Sequence, residues 1–122
     1  INNDSFNKES KIYFKDEINY ALGNIIQNAI LYSKLKIKIF LTINKNEFII
    51  KIEDDGDGFS RDVLDKLGEP YISKNKKGMG LGIFIGKTLL EKNYGNIDCK
   101  NSKDKSGAKV SIKWKNEDLL KL

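Results

Sequence analysis

Between Ile18 and Trp114 the apolar residues change period repeatedly, and few architectures can satisfy that order. Ile18, Leu22, Ile25, Ile26, Ala29 and Ile30 recur at helical spacing. Asp16 stands before them as a helix N-cap, with Glu17 in the first turn, and both suit the positive end of a helix dipole. The helix is expected to run to about Ser33. The pattern then switches to alternation: Ile37, Ile39, Leu41 and Ile43 take polar partners except Phe40. Asn44-Lys45-Asn46-Glu47 reads as a hairpin turn, and residues 48–53 return as a second strand. Residues 54–80 lose all period and fill with glycine and charge, although Arg61 to Leu67 can form a turn or two of helix. A second helix is expected over about 79–93, with Ile83, Phe84, Lys87 and Leu90 on one face and Gly95 to end it. Two closing strands, 96–101 and 108–114, flank the turn-like residues 102–107. Residues 1–8 are polar, 10–14 suit a short edge strand, and 117–122 are ambiguous.

A helix, a hairpin, a long loop, a helix and a hairpin bury their apolar stripes together if the strands form one sheet under a helix layer. The expected fold class is therefore α/β (α+β): a two-layer sandwich, a mixed β-sheet covered on one face by helices. At 122 residues the chain suits a single domain, 1–122, with a core over about 10–115. The start at Ile1 rather than Met fits an excised piece of a longer protein.

Composition removes several kinds of chemistry. The sequence has no histidine, which excludes histidine general bases and catalytic triads and makes most zinc sites untenable. Its one cysteine, Cys99, cannot form an internal disulfide, suits a reducing cytosol, and follows Ile97 by two positions as a small packed residue. The formal charge of +5 comes from lysines scattered among acids, with Arg61 the only arginine. Without guanidinium forks to read bases, no nucleic-acid partner is expected. No apolar run reaches the roughly 20 residues that cross a bilayer.

Three segments can carry chemistry. Asn24 and Asn28 share a stripe of the first helix beside Leu31 and Tyr32, offset from its apolar face. Their amide oxygens can serve a hard cation such as Mg2+, or they can be ordinary solvent-facing residues. Asp54-Asp55-Gly56-Asp57-Gly58 follows an isoleucine-rich strand. Its glycines permit a close backbone approach and its acid can accept from an amino group, or it can be a plain acidic turn. The register is wrong for a calcium-binding EF-hand loop. Gly78-Met79-Gly80-Leu81-Gly82 runs straight into the second helix, below Lys74, Lys76 and Lys77. Free N–H groups and the dipole at such a helix start favour a phosphate, or the glycines can be a hinge. The segment is neither a P-loop nor a dinucleotide fingerprint.

The order of these segments resembles the GHKL ATPase superfamily, which holds the gyrase, Hsp90, histidine kinase and MutL folds, over about residues 16–114. The run Leu22-Gly-Asn-Ile-Ile-Gln-Asn-Ala-Ile-Leu-Tyr-Ser33 is similar to the asparagine box of the sensor histidine kinases, and Gly107-Ala108 to their closing glycine motif. Leu67-Gly-Glu-Pro-Tyr-Ile-Ser-Lys74 and Gly80-Leu-Gly-Ile-Phe-Ile-Gly-Lys-Thr-Leu-Leu-Glu91 resemble the redox-responsive Reg/Prr type.

The resemblance implies a Bergerat-type fold that binds ATP and Mg2+. Asn28 would hold the metal and Asn24 would stand near metal and phosphates, the two forming the catalytic pair. Asp54 would accept the adenine amino group, with Tyr32 beside the ring and Gly56 and Gly58 shaping the floor. Gly78, Met79, Gly80, Leu81 and Gly82 would meet the phosphates, and residues 59–77 would be a lid. Three departures stand out. Leu31 replaces a common lysine, leaving Lys74 or Lys76 to substitute. Asp57 replaces a common proline, and Ala108 replaces a common threonine. The γ-phosphoryl acceptor would be a histidine on a separate dimerisation domain, with an aspartate of a response regulator downstream. The domain alone would not autophosphorylate. The parent would be a homodimer anchored in the inner membrane, with this domain in the cytoplasm. The alternatives are a degenerate nucleotide-binding module and a GHKL-type serine kinase.

Overall fold

A computed structural model describes residues 14–67, 81–104, 106–119 and 121. Helix α1 (Asp16–Tyr32) leads into the hairpin β1 (Ile37–Ile43) and β2 (Glu47–Asp54). Helices α2 (Arg61–Leu67) and α3 (Leu81–Lys92) follow, then the hairpin β3 (Asn96–Asn101) and β4 (Ala108–Lys115), and a last turn, α4 (Asn116–Leu119). The sheet order is β1-β2-β4-β3. All three pairings are antiparallel, so among the described residues the sheet is not mixed as expected. The expected strand over 10–14 lies outside the described residues except for Phe14, which is not in a strand.

Helices α1 and α3 lie side by side over one face of this sheet, giving the two layers the apolar stripes require. Their contact is close at Gly86, where a Cβ would meet Ile25 Cγ1 at 3.1 Å and the Ala21 carbonyl oxygen at 3.3 Å. Ile18, Ile25, Ile52, Ile83, Leu90, Ile112 and Trp114 fill the space between the layers with almost no exposure. Each aliphatic side chain so buried contributes about 1.5–3 kcal/mol relative to exposure.

Three local expectations change. Lys15, not Asp16, occupies the N-cap of α1 and makes no side-chain cap bond; Asp16 is the first helical residue, where its charge still suits the dipole. At the end of α3 the left-handed residue is Tyr94 (φ 71), not Gly95. The Gly95 N–H donates to the Leu90 carbonyl at 2.7 Å and the Tyr94 N–H to that of Glu91 at 3.3 Å, a Schellman pairing. Glycine serves at 95 for space instead: a Cβ there would lie 3.1 Å from the Leu90 carbonyl oxygen and 3.3 Å from the Trp114 ring. Finally, the helix layer stops short of β1. Ile39, Leu41 and Ile43 sit in register with the buried Ile52, Ile50 and Phe48, yet all three are exposed. Alternation fixed the direction of these side chains, not their cover.

The hairpin turn at 44–47 forms as expected. Asn44 Oδ1 accepts from the N–H groups of Asn46 and Glu47, and the Asn44 N–H closes on the Glu47 carbonyl at 3.0 Å. Cys99 is half-buried in β3, where burial pushes its thiol up to about 12, so it is an inert packed residue.

Candidate functional site

At one end of the sheet three separate stretches of chain converge: the C-terminus of α1, the turn after β2, and the start of β4. Two adjoining spaces open there. An open groove of about 430 Å³ is lined by Asn24, Gln27, Asn28, Ile30, Leu31 and Gly82. Beside it a slot of only about 10 Å³ lies among Asn28, Tyr32, Asp54, Gly58, Phe59 and Ala108. Asn28 lines both and is the joint between them. Periodicity explains its place: the helical stripe that carries Asn24 and Asn28 runs along the edge of α1, one step round from the buried Ile25 and Ala29.

Asp54 ends β2, with its carboxylate at the slot. Its Oδ1 accepts the Gly56 N–H at 2.8 Å and the Ala108 N–H at 3.4 Å. Its Oδ2 has no partner among the described residues and stays available as an acceptor. The turn beyond it can pass this close to α1 because residue 56 lacks a side chain: a Cβ there would run into the Tyr32 carbonyl oxygen. Gly107 (φ +135) plays the matching part just before β4, since a Cβ on it would strike the Asp54 carbonyl oxygen. Both glycines are therefore steric requirements of the slot.

Two residues that the sequence did not single out complete this end. Asp55 turns away from the slot and accepts backbone N–H groups from Lys34 at 2.8 Å, Leu35 at 3.1 Å and Lys36 at 3.3 Å. The bonds from Leu35 and Lys34 hold its carboxyl below the usual aspartate value. It thereby ties the β2 turn to the end of α1. Asn101, the last residue of β3, binds both backbone groups of Phe59: Oδ1 accepts the N–H at 2.7 Å and Nδ2 donates to the carbonyl at 3.0 Å. Neither contact leaves a local signature, because the partners are 19 to 21 and 42 positions away.

The acidic turn is thus not a cation cage. Asp54 Oδ1 and both oxygens of Asp55 are taken by backbone N–H groups, and Asp57 is exposed and paired with Lys34 at 3.1 Å. No group of three or more acidic or cysteine side chains that could hold a metal occurs among the described residues. What the groove offers a cation is amide oxygen from Asn24 and Asn28, neither of which has a protein partner among the described residues. That donor set fits Mg2+, which favours oxygen and keeps waters and phosphate oxygens as its other ligands.

The other expected site residues divide. Gly58 (φ +88) and Ala108 line the slot. Gly82 lines the groove, though a Cβ there would meet Asn24 only at 3.9 Å, so this neighbourhood does not demand glycine. Leu81 opens α3. Lys74, Gly78, Met79 and Gly80, and most of the expected lid, lie outside the described residues. The part of the lid that is described forms α2, with Phe59 and Leu67 buried against the core.

The family described as histidine kinase-, DNA gyrase B- and HSP90-like ATPases matches residues 15–118, nearly the whole chain. The chain belongs to this ATPase family. Its likeness within the family is to the histidine kinases. The sensor histidine kinase RegB of Cereibacter sphaeroides is 27% identical over 93% of this chain, in keeping with the Reg-type resemblance. Among solved structures, the Acinetobacter baumannii histidine kinase AdeS superposes with a TM-score of 0.63 at 29% identity, over 82% of this chain and 46% of that one. The mycobacterial sensor histidine kinase MprB gives 0.64 at 19% identity, over 85% and 74%, which speaks for the fold alone. The chain spans 29% of the length of RegB. An ATP-binding domain of histidine kinase type accounts for the groove, the slot and the fold together. No described helix is long and apolar enough to cross a membrane.

Proposed function

We propose that this domain binds Mg-ATP across the slot and the groove and presents the γ-phosphoryl group to a histidine on a separate dimerisation domain of the same protein. The observation that carries the proposal is Asp54, which lines the slot with one carboxylate oxygen held by two backbone N–H groups and the other without a partner among the described residues. A fixed acceptor without a donor of its own, placed at the 6-position of a purine, accepts the 6-amino group of adenine and opposes the 6-oxo oxygen of guanine.

Tyr32 lies beside the base and Gly56 and Gly58 floor it. The triphosphate runs past Asn28 into the groove, toward Asn24, Gly82 and the N-terminal end of α3, with Met79, Gly80 and Leu81 leading in. Asn28 holds Mg2+ through its amide oxygen, with Asn24 beside it; the ion neutralises phosphate charge when bound. The chain itself supplies positioning, since phosphoryl transfer asks for little covalent chemistry from the protein. Lys74 supplies the positive charge that Leu31 does not, and residues 59–77 close over the nucleotide. A slot of about 10 Å³ is smaller than a purine, so Tyr32, which is 40% exposed, swings outward on binding. The parent is a membrane-anchored homodimer with this domain on the cytoplasmic side, and a response regulator receives the phosphoryl group from the histidine.

The test mixes the 122-residue chain with the dimerisation segment of its parent and γ-labelled ATP. An acid-labile, base-stable label on that segment is the expected result, with none on the chain alone. An acid-stable label would mark a serine kinase instead. No label with a competent acceptor present would leave a nucleotide-binding module.

A further inference from the structure

The geometry points to Asn101 as a positioning residue that sets the width and base selectivity of the slot. This inference rests on the nucleotide reading given above. The slot has two walls, one on each side of the acidic turn, and each is held by a contact from the distant β3–β4 hairpin. One is Asp54, whose Oδ1 is held by the Ala108 N–H. The other is Gly58–Phe59, with Phe59 buried at its base. Asn101 links them from outside the slot's own lining. It is the register partner of Ala108 in the β3–β4 ladder, and its amide binds the N–H and carbonyl of Phe59 as a neighbouring strand would. One side chain therefore fixes the second wall against the strand pair that holds the first.

Its fit is specific. Gly58 adopts φ +88 directly over the amide, and a Cβ there would lie 2.8 Å from Asn101 Oδ1. Both polar atoms of the side chain are used, one as acceptor and one as donor, so no other residue of this size reproduces the pair. Aspartate is isosteric but would set an oxygen against the Phe59 carbonyl. Alanine would leave the two Phe59 backbone groups without partners and free the segment that begins the lid. A floor that must be ordered on each binding event weakens binding most where the ligand touches that floor, which is at the base rather than at the phosphates.

The experiment measures calorimetric Kd values for a non-hydrolysable ATP analogue and its inosine counterpart, which lacks the 6-amino group. The proteins are the wild type, Asn101→Ala and Asn101→Asp, with thermal midpoints alongside. Asn101→Ala is expected to weaken the adenine analogue about tenfold, the worth of about one good hydrogen bond, and the inosine analogue clearly less, so that discrimination narrows. Asn101→Asp is expected to do the same with its volume unchanged. A merely structural role would lower both affinities by one common factor, the folded fraction. That result, or unchanged affinities in folded variants, overturns the inference. The wild type provides a readout that needs no variant: the Phe59 amide should exchange slowly with solvent and more slowly still with nucleotide bound. Exchange at the rate of an open loop overturns it too. A wild type that binds neither analogue defeats the nucleotide reading itself, and this inference with it.

Discussion

The two ends of the sheet are held in opposite ways. At the end away from the groove, side chains do the holding. Phe14, Phe48 and Trp114 stack with ring centroids 5.4 to 6.1 Å apart, and the Trp114 indole N–H donates to the Asn93 carbonyl at 3.1 Å. Asn93, only 3% exposed, gathers Glu17, Lys15 and the Leu89 carbonyl and so ties the start of α1 to the end of α3. At the slot the holding contacts run from side chains to backbone, through Asp54, Asp55 and Asn101, and space is made by glycines. The first arrangement buries apolar area and resists opening. The second keeps surfaces apart by a fixed distance and leaves one acceptor without a partner among the described residues. Stability and binding should therefore respond to different residues.

The largest expected effect is on stability alone. Trp114→Ala removes the centre of the aromatic stack and should cost about 3–5 kcal/mol in chemical denaturation, while the folded fraction keeps its nucleotide affinity. If affinity per folded molecule falls as well, the two ends are not independent. Gly107→Ala attacks the other end. The new Cβ meets the Asp54 carbonyl oxygen at a φ that L-residues rarely adopt, a strain of about 1–3 kcal/mol. Calorimetry should show nucleotide binding lost from protein that still melts cooperatively.

Asn93→Ala should follow, at about 1–3 kcal/mol for a buried network left short of partners, with nucleotide Kd unchanged. Smallest is the response to acid. The Glu17 carboxyl is held below its ordinary value of 4.5 by hydrogen bonds from Asn93 and Lys92, and that of Asp55 below 3.8 by backbone N–H groups. Both shifts are downward. Each therefore adds stability that is fully present above the unfolded value and is lost as pH falls through the folded one. Melting followed as pH falls through the ordinary carboxylate value of 4.5 and below it should show Glu17→Gln flattening part of the decline.

The contrast between the ends also explains what could be read from the chain beforehand. The helices and strands were legible because each carries its own period over many residues, as Ile18 to Ala29 and the alternating residues of β4 do. Asn24, Asn28, Asp54 and the glycines of the acidic turn were legible because their order follows a family pattern. Asp55 and Asn101 were not. Asp55 looks like one more charge among three aspartates, and only the fold brings the N–H groups of Lys34 to Lys36 to it. Asn101 looks like the end of a strand in an asparagine-rich chain. Tyr94 was hidden by the ordinary rule that glycine takes the left-handed position, while Gly95 next to it answers to the bulk of Trp114. The bare face of β1 was hidden because period reports the side a residue faces and not whether a helix reaches it.

The most direct measurement is a titration of the wild type and of Asp54→Ala with a non-hydrolysable ATP analogue, with and without Mg2+. The account predicts binding to the wild type that Mg2+ strengthens. Asp54→Ala should lose that binding while keeping its fold, because the acceptor that fixes the base is gone. Equal binding by the two proteins, or none by a folded wild type, would contradict it.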